Sequence, residues 1–190
     1  MAAILNDSLT LQQFNSTFTY NGHRPAEFFR GRQARDRVLL SAGTILWKCT
    51  DYGLVNPRSG SISEWWADDR SLNNILQRCQ DLSVSLRTFA RTRFAVIWEW
   101  ENGMQYLLRA RLQQPVYAFA GQVAGATGRY PSDWNSNRLP PAVESKLRQN
   151  IAFIGGEEQY CIPFLTFQHI TDHGRSAAEN LPFALAAGAG

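Results

Sequence analysis

Serine, histidine and acidic residues are all present in the chain, but most of the arrangements in which they do chemistry are absent. His23, His169 and His173 are available for a catalytic triad, yet no G-x-S-x-G elbow supplies a nucleophile. His169 and His173 are four residues apart without an H-E-x-x-H motif, so a pair of surface histidines is the better interpretation. The glycines of segment 121–125 lack P-loop and dinucleotide-binding spacing. The sequence therefore predicts no metal site and no Gly-rich phosphate loop.

Three other segments carry polar residues beside strand-like runs. The first, Gly43–Lys48, is a Gly-Thr turn and an apolar run that ends in a basic residue. The second, Ser61–Ser63, lies directly before a pair of tryptophans, and the third is Glu157–Gln159. Each has an ordinary interpretation, since the serines are suited to capping the helix that follows and an acidic pair beside a strand is usually solvated. The order of the three segments along the chain is more specific than any one of them.

This order resembles the ADP-ribosyltransferase family of bacterial toxins and effectors. That family has a strand with a basic residue, usually arginine, often after a Gly-Thr turn, then a Ser-Thr-Ser strand, and late in the chain a Glu-x-Glu or Gln-x-Glu entering another strand. The resemblance spans roughly residues 35–170, with Lys48 where arginine is usual. Alignment on Pro163 puts Gln159 at the position of the catalytic glutamate, whereas a shift by one residue puts Glu158 there.

The resemblance implies an enzyme that uses NAD as its substrate. Breaking the bond between nicotinamide and ribose develops positive charge on the sugar, which a carboxylate stabilises. The sugar then passes to a macromolecular acceptor, protein or nucleic acid, or to water as in an NAD glycohydrolase, and the loop 153–157 is expected to contact the acceptor. The implied roles are phosphate binding by Lys48, bracing of the nicotinamide cleft by Ser61 and Ser63, and catalysis by a member of Glu157, Glu158 and Gln159.

The pattern of apolar residues predicts one α+β domain, and 190 residues suffice for one core. Helical spacing begins at Asp68 or Asp69 and runs to about Arg91, as one long helix or two short ones. Strand-like runs cover residues 44–50, 94–100, 115–121, 151–154, 159–162 and 165–167, and 106–112 fits a strand or a short helix. The resemblance implies two packed small antiparallel sheets with flanking helices. The expected divisions are an N-terminal arm or helix (1–34), the ADP-ribosyltransferase-like domain (35–172) and a flexible tail (173–190).

Composition argues against several other classes of protein. No run of about 18 apolar residues predicts a membrane span. The N-terminal segment lacks the basic and apolar regions of a secretory signal peptide, so we expect a cytoplasmic protein, or one delivered into a target cell without a cleavable signal. Cys49, Cys79 and Cys161 have neither zinc nor C-x-x-C spacing and are expected to be buried free thiols.

Arginine and aromatic content favours a second class of function. Of the 19 basic residues only Lys48 and Lys146 are lysines, and the chain has six Trp and eleven Phe. Because arginine and aromatic residues are enriched in interface cores, the alternative is a non-enzymatic structural or interaction protein in a larger assembly. Five arginines between Arg24 and Arg37 are best interpreted as a solvated surface, with a phosphate-bearing partner as the alternative. For a toxin, the expected partner is an immunity protein or a chaperone.

Overall fold

Most of the strands of the protein belong to one antiparallel sheet. The computed structural model describes residues 4–57, 59–96, 103–128, 151–178 and 181. Seven strands pair in the order β1-β5-β8-β3-β2-β4-β9, and β6 pairs with β7 in a separate ribbon. In chain order the strands are β1 Asp36–Leu40, β2 Ile45–Thr50, β3 Trp65–Asp68, β4 Tyr106–Leu112, β5 Val116–Gln122, β6 Ala126–Gly128, β7 Ile151–Phe153, β8 Glu158–Cys161 and β9 Ile170–Ala177.

The helical pattern of the sequence corresponds to two short helices, α2 and α3, which follow a one-turn helix α1 in the N-terminal arm. Their bounds are α1 Leu11–Ser16, α2 Leu72–Asp81 and α3 Leu86–Arg93, and 3-10 turns cover Pro25–Phe28, Arg30–Arg32 and Asp69–Ser71. The Asp68 side chain accepts a hydrogen bond from the Arg70 N–H and caps the turn that leads into α2. Between the helices Ser83 has a φ of 54°, which breaks the helical path.

Apolar residues of the sheet alternate between its two faces, so both faces are covered. Leu46 and Trp66 belong to a core cluster on one face, whereas their neighbours Trp47 and Ala67 pack with α2 and α3 on the other. A third cluster joins the N-terminal arm to the sheet, where the rings of Phe14 and Phe119 stack at 3.9 Å. The three cysteines are free and buried, which confirms their predicted state.

The α+β class is confirmed, but the described strands do not form two separate small sheets. β3 hydrogen-bonds to β8 through its first two residues and to β2 through its last two, and it thereby joins both groups of strands into one sheet. The strands predicted at 44–50, 115–121, 151–154 and 159–162 correspond to β2, β5, β7 and β8, and segment 106–112, for which a strand and a short helix were both open, is strand β4.

Two predicted strands are wrong within the described residues. Phe94 ends α3, where its N–H donates to the Ala90 carbonyl and its ring packs edge-on against Trp47, while residues 97–100 of that prediction lie outside the described residues. Segment 165–167 forms no strand, and the chain enters β9 after it, at Ile170, and continues in that strand past residue 173. β9 lacks an apolar alternation because it is an edge strand whose residues after Ile170 are exposed.

Candidate functional site

The three motifs lie on, or directly before, strands that are neighbours in the sheet, in the order β8-β3-β2. β2 pairs with β3 only at Leu46 and Trp47, opposite Asp68 and Ala67, and then continues along β4 alone. The beginning of β3 pairs with β8 instead. The ladder between β2 and β3 therefore stops immediately before Lys48, and the sheet opens at this point.

A cavity of about 540 Å³ opens where the two strands separate. Its volume lies within the range of roughly 300–1,000 Å³ that is typical of ligand sites, and its wall is mainly apolar with a few polar groups. The aromatic residues of the wall are Phe28, Trp47, Trp65 and Phe94. The polar and charged side chains of the wall are His23, Glu27, Lys48, Ser63, Glu64 and Gln159.

Lys48 is the basic residue of this cavity among the described residues. Burial lowers the pKa of its ammonium to about 8, while the nearby carboxylate of Glu64 acts in the opposite direction. The Nζ atom lies 5.3 Å from the ring centroid of Trp66, which is fully buried. Burial also raises the pKa of the adjacent Cys49 thiol to about 12, so this cysteine is not a nucleophile at neutral pH.

Glu64 is a buried carboxylate in the same wall. The residue is 9% exposed, and within the described part of the chain its carboxylate accepts no hydrogen bond. Its Oε1 atom lies 3.6 Å from Nε2 of His23 in the N-terminal arm. The Glu64 backbone is fixed, since its carbonyl accepts from the Ile162 N–H at 2.8 Å.

The residues predicted from the sequence fall into two groups. Lys48, Ser63 and Gln159, one from each motif, line the cavity. Ser61 does not line it, and its hydroxyl is 2.7 Å from that of Ser59. Neither serine caps α2, because Ser63 accepts from the Trp65 N–H and the N-cap position of α2 is Ser71, after the 3-10 turn that Asp68 caps.

The two glutamates of the third motif do not line the cavity either. The Glu157 carboxylate accepts from Arg93 Nε at 2.9 Å and from Arg78 Nη1 at 3.2 Å, which ties the start of β8 to α2 and α3. The exposed Glu158 pairs with Arg35, with bonds of 2.8 and 3.3 Å. Since side chains alternate along a strand, Glu158 and Gln159 face opposite ways, and Gln159 is the member of the motif that reaches the cavity.

The loop before β8 is fixed against the cavity wall by its glycines. Gly155 has a φ of 66°, and a Cβ atom there would lie 2.6 Å from the carbonyl oxygens of Val123 and Ala124. The Gly155 N–H donates to Thr92 and the Gly156 N–H to Val123. Ile154, in the loop expected to contact an acceptor, is 61% exposed.

The arginines between Arg24 and Arg37 make many contacts within the chain. Arg24 donates to backbone carbonyls of Asn15 and Ser16, and Arg37 donates to those of Asn6 and Asp7. Arg32 pairs with Glu27, and Arg35 pairs with Asp36 as well as with Glu158. These contacts hold the N-terminal arm and β1 in position, and they favour a structural role for this segment.

His23 and Glu64 are the site residues that the sequence analysis missed. Glu64 directly follows Ser63, and this adjacency is the one signal that could have identified it. For His23 the sequence has no such signal, because its position depends on how the N-terminal arm crosses the sheet. Trp65 is the tryptophan of the Trp65–Trp66 pair that lines the cavity.

Comparison of the chain with family models, curated proteins and solved structures finds no match. Within the described ranges, no group of three or more His, Cys, Asp and Glu side chains is arranged to hold a metal ion. No helix in that part of the chain is long and apolar enough to cross a membrane.

Proposed function

We propose that the protein binds NAD in the cavity between β2 and β3 and cleaves the bond between nicotinamide and ribose, as an ADP-ribosyltransferase or an NAD glycohydrolase. The observation that carries this proposal is that Lys48, Ser63 and Gln159 line one cavity although they come from three distant segments. The order of those segments resembles that of ADP-ribosyltransferases. We therefore also propose that the α+β fold is of the ADP-ribosyltransferase type.

Each part of the cavity wall suits one part of the dinucleotide. The Lys48 ammonium is a compact charge that attracts the diphosphate, although it lacks the bidentate geometry of an arginine. Ser63 and Gln159 supply a hydroxyl and an amide for the ribose hydroxyls and the nicotinamide carboxamide. The aromatic walls, including Phe28 and Trp65, offer faces for the planar nicotinamide or adenine ring.

The reaction breaks one bond and forms another at the same ribose carbon. The electron pair of the ribose–nitrogen bond leaves with nicotinamide, which becomes neutral, and positive charge develops on the sugar. An acceptor nucleophile then donates a lone pair to that carbon and loses its proton to solvent. A side chain or base of a macromolecule gives the transferase reaction, and water gives free ADP-ribose.

The test measures heat of binding on titration with NAD, and nicotinamide release, for the purified chain and two glutamine variants. We expect the native chain to bind and cleave NAD, and Gln159→Ala to lower kcat/KM by about tenfold through loss of one or two hydrogen bonds. Gln80→Ala, on the exposed side of α2, is the matched control and should match the native chain.

Absence of both heat and nicotinamide release in the native chain would contradict the proposal. The size of the particles in solution would then test the alternative, an assembly protein. A ring or polymer would favour that role, which the arginine and aromatic content already supports.

A further inference from the structure

We infer that Glu64 is the carboxylate that faces the positive charge developing on the ribose, and that His23 is the residue that positions it. This inference rests on the proposed cleavage of NAD and adds to it a catalytic group outside the three motifs. The group comes from the turn before β3, and its positioning partner comes from the N-terminal arm.

The other candidate carboxylates are already paired. Glu157 is held by Arg78 and Arg93 and lies outside the cavity wall, and Glu158 is exposed beside Arg35. Glu27 lines the cavity, but its side chain is 39% exposed and pairs with Arg32 at 2.6 Å. Among the acidic residues that the structure describes in the cavity wall, Glu64 alone is buried.

A carboxylate that is nearly buried and accepts no hydrogen bond destabilises the fold unless something compensates it. The opposing charge of Lys48 supplies part of that compensation in the free protein. In the proposed complex the diphosphate neutralises Lys48, and the negative charge of Glu64 then remains for the sugar. Because the Glu64 side chain is only 11% exposed, a fixed charge there stabilises a transition state more strongly than the same charge would in solution.

The imidazole of His23 is oriented by two contacts within the arm. Its Nδ1 atom lies 3.2 Å from the Asn21 carbonyl, and since a carbonyl oxygen only accepts, Nδ1 carries the hydrogen of this bond. Its ring packs edge-on against Phe28 at 5.3 Å. The remaining nitrogen, Nε2, is buried, faces Glu64 and has no hydrogen-bond partner among the residues that the structure describes. The ring edge that carries Nε2 therefore lies directly against the carboxylate, at 3.6 Å, and limits the positions that the carboxylate can take.

The experiment compares the same substitution, glutamate to glutamine, at two sites. Glu64→Gln keeps the size and most hydrogen-bonding capacity of the side chain but removes its charge. We expect a loss of about 10²–10³-fold in kcat for nicotinamide release, with the Kd for NAD changed by less than about threefold when it is measured at pH 6.5, well below the pKa of Lys48. Glu158→Gln tests the competing carboxylate of the third motif, which is exposed at the start of β8 and lies outside the cavity wall, and a loss of kcat there with Glu64→Gln unaffected would overturn the inference. Glu64→Asp retains the charge with a shorter reach and provides a second variant if the glutamine variant does not fold.

The positioning role of His23 is tested with a measurement that a general loss of folding stability would not change. His23→Ala should lower kcat by about tenfold with an unchanged Kd, and should change the pH profile of kcat. His23→Gln supplies an N–H that can reach Glu64, and we expect it to recover part of the lost rate. Equal loss in both variants would overturn the positioning role.

The outcomes separate the inference from the function on which it rests. If the native chain releases nicotinamide and Glu64→Gln and Glu64→Asp do so at the same rate, Glu64 is not the catalytic carboxylate, while NAD cleavage stands. If the native chain neither binds NAD nor releases nicotinamide, both the function and the inference are overturned.

Discussion

Glutamates occupy two contrasting environments in this protein. At the start of β8, Glu157 and Glu158 both lie within hydrogen-bond distance of arginines that come from α2, α3 and the N-terminal segment. In the turn before β3, Glu64 has a histidine at 3.6 Å and no hydrogen bond within the described residues. The first environment ties elements of the fold together, whereas the second leaves a carboxylate facing a cavity.

The difference shows that the acidic residues of a sequence motif need not be the ones whose charge can act on a bound ligand. A carboxylate held by two guanidinium groups has most of its field neutralised, and its lone pairs are occupied by hydrogen bonds. A carboxylate without hydrogen bonds keeps its charge for a ligand, but it contributes less to stability. We therefore expect the change from glutamate to glutamine to affect catalysis at Glu64, folding stability at Glu157, and neither at Glu158.

Glu157→Gln is expected to have the largest effect on stability. The variant keeps one acceptor for Arg93 or Arg78 but removes the charge that both guanidinium groups share. Because the Glu157 side chain is only 12% exposed, we expect the free energy of unfolding in urea to fall by about 1–2 kcal/mol. The rate of nicotinamide release at saturating NAD should change less than about twofold. Loss of turnover at unchanged stability would instead assign the catalytic carboxylate to Glu157.

The pH dependence of NAD binding tests the other charged group of the cavity. Burial lowers the pKa of Lys48 from 10.5 to about 8. The charge of Glu64 and the adjacent Cys49 both act in the opposite direction and raise this pKa. If the ammonium binds the diphosphate, the Kd for NAD should be flat below about pH 8. Above pH 8, the Kd should rise by up to tenfold per pH unit, because binding must then take up a proton. Titration calorimetry between pH 6.5 and 9.5 measures this directly.

Two further measurements identify Lys48 as the source of that dependence. Lys48→Arg keeps its charge throughout this pH range, so its Kd should be independent of pH. In the absence of NAD, the contribution of Lys48 to stability, measured as the difference between the native chain and Lys48→Arg so that the buried thiols common to both cancel, should rise from about pH 8 toward pH 10.5. The reason is that the unfolded chain still binds the proton that the folded chain has released. A Kd with the same pH dependence in both proteins would exclude Lys48 from phosphate binding.

The parts of the site that the sequence predicted are those that depend on local pattern. Lys48 and Gln159 stand on or beside apolar runs that form strands, and these strands were recognisable from β-branched and aromatic residues. Glu64 was missed because its importance depends on where the ladder between β2 and β3 stops, which no local pattern records. His23 was missed for a similar reason, since it reaches the cavity only through the path of the N-terminal arm.

The errors in the fold have the same physical origin. Phe94 begins a run of β-branched and aromatic residues of the kind that is typical of strands. Its ring nevertheless packs against Trp47, and its N–H completes the last turn of α3, so that tertiary contacts override local propensity. β9 was missed because it is an edge strand in which Ile170 is buried and the residues after it are exposed. Its sequence therefore lacks the alternation of apolar and polar residues by which a strand is recognised. The sequence therefore predicted the central strands better than the edge of the sheet.

Glu158→Gln is expected to have the smallest effect, and it completes the set of three equivalent substitutions. Glu158 and Arg35 have side chains that are 50% and 62% exposed, so water already screens their attraction. Exposed pairs of this kind contribute little to stability, and Arg35 retains Asp36 as a partner when Glu158 loses its charge. Urea unfolding and nicotinamide release should both stay close to native values. A large loss of turnover here, with Glu64→Gln unaffected, would mean that β8 shifts by one residue when NAD binds and brings Glu158 to the position that Gln159 occupies in the free protein.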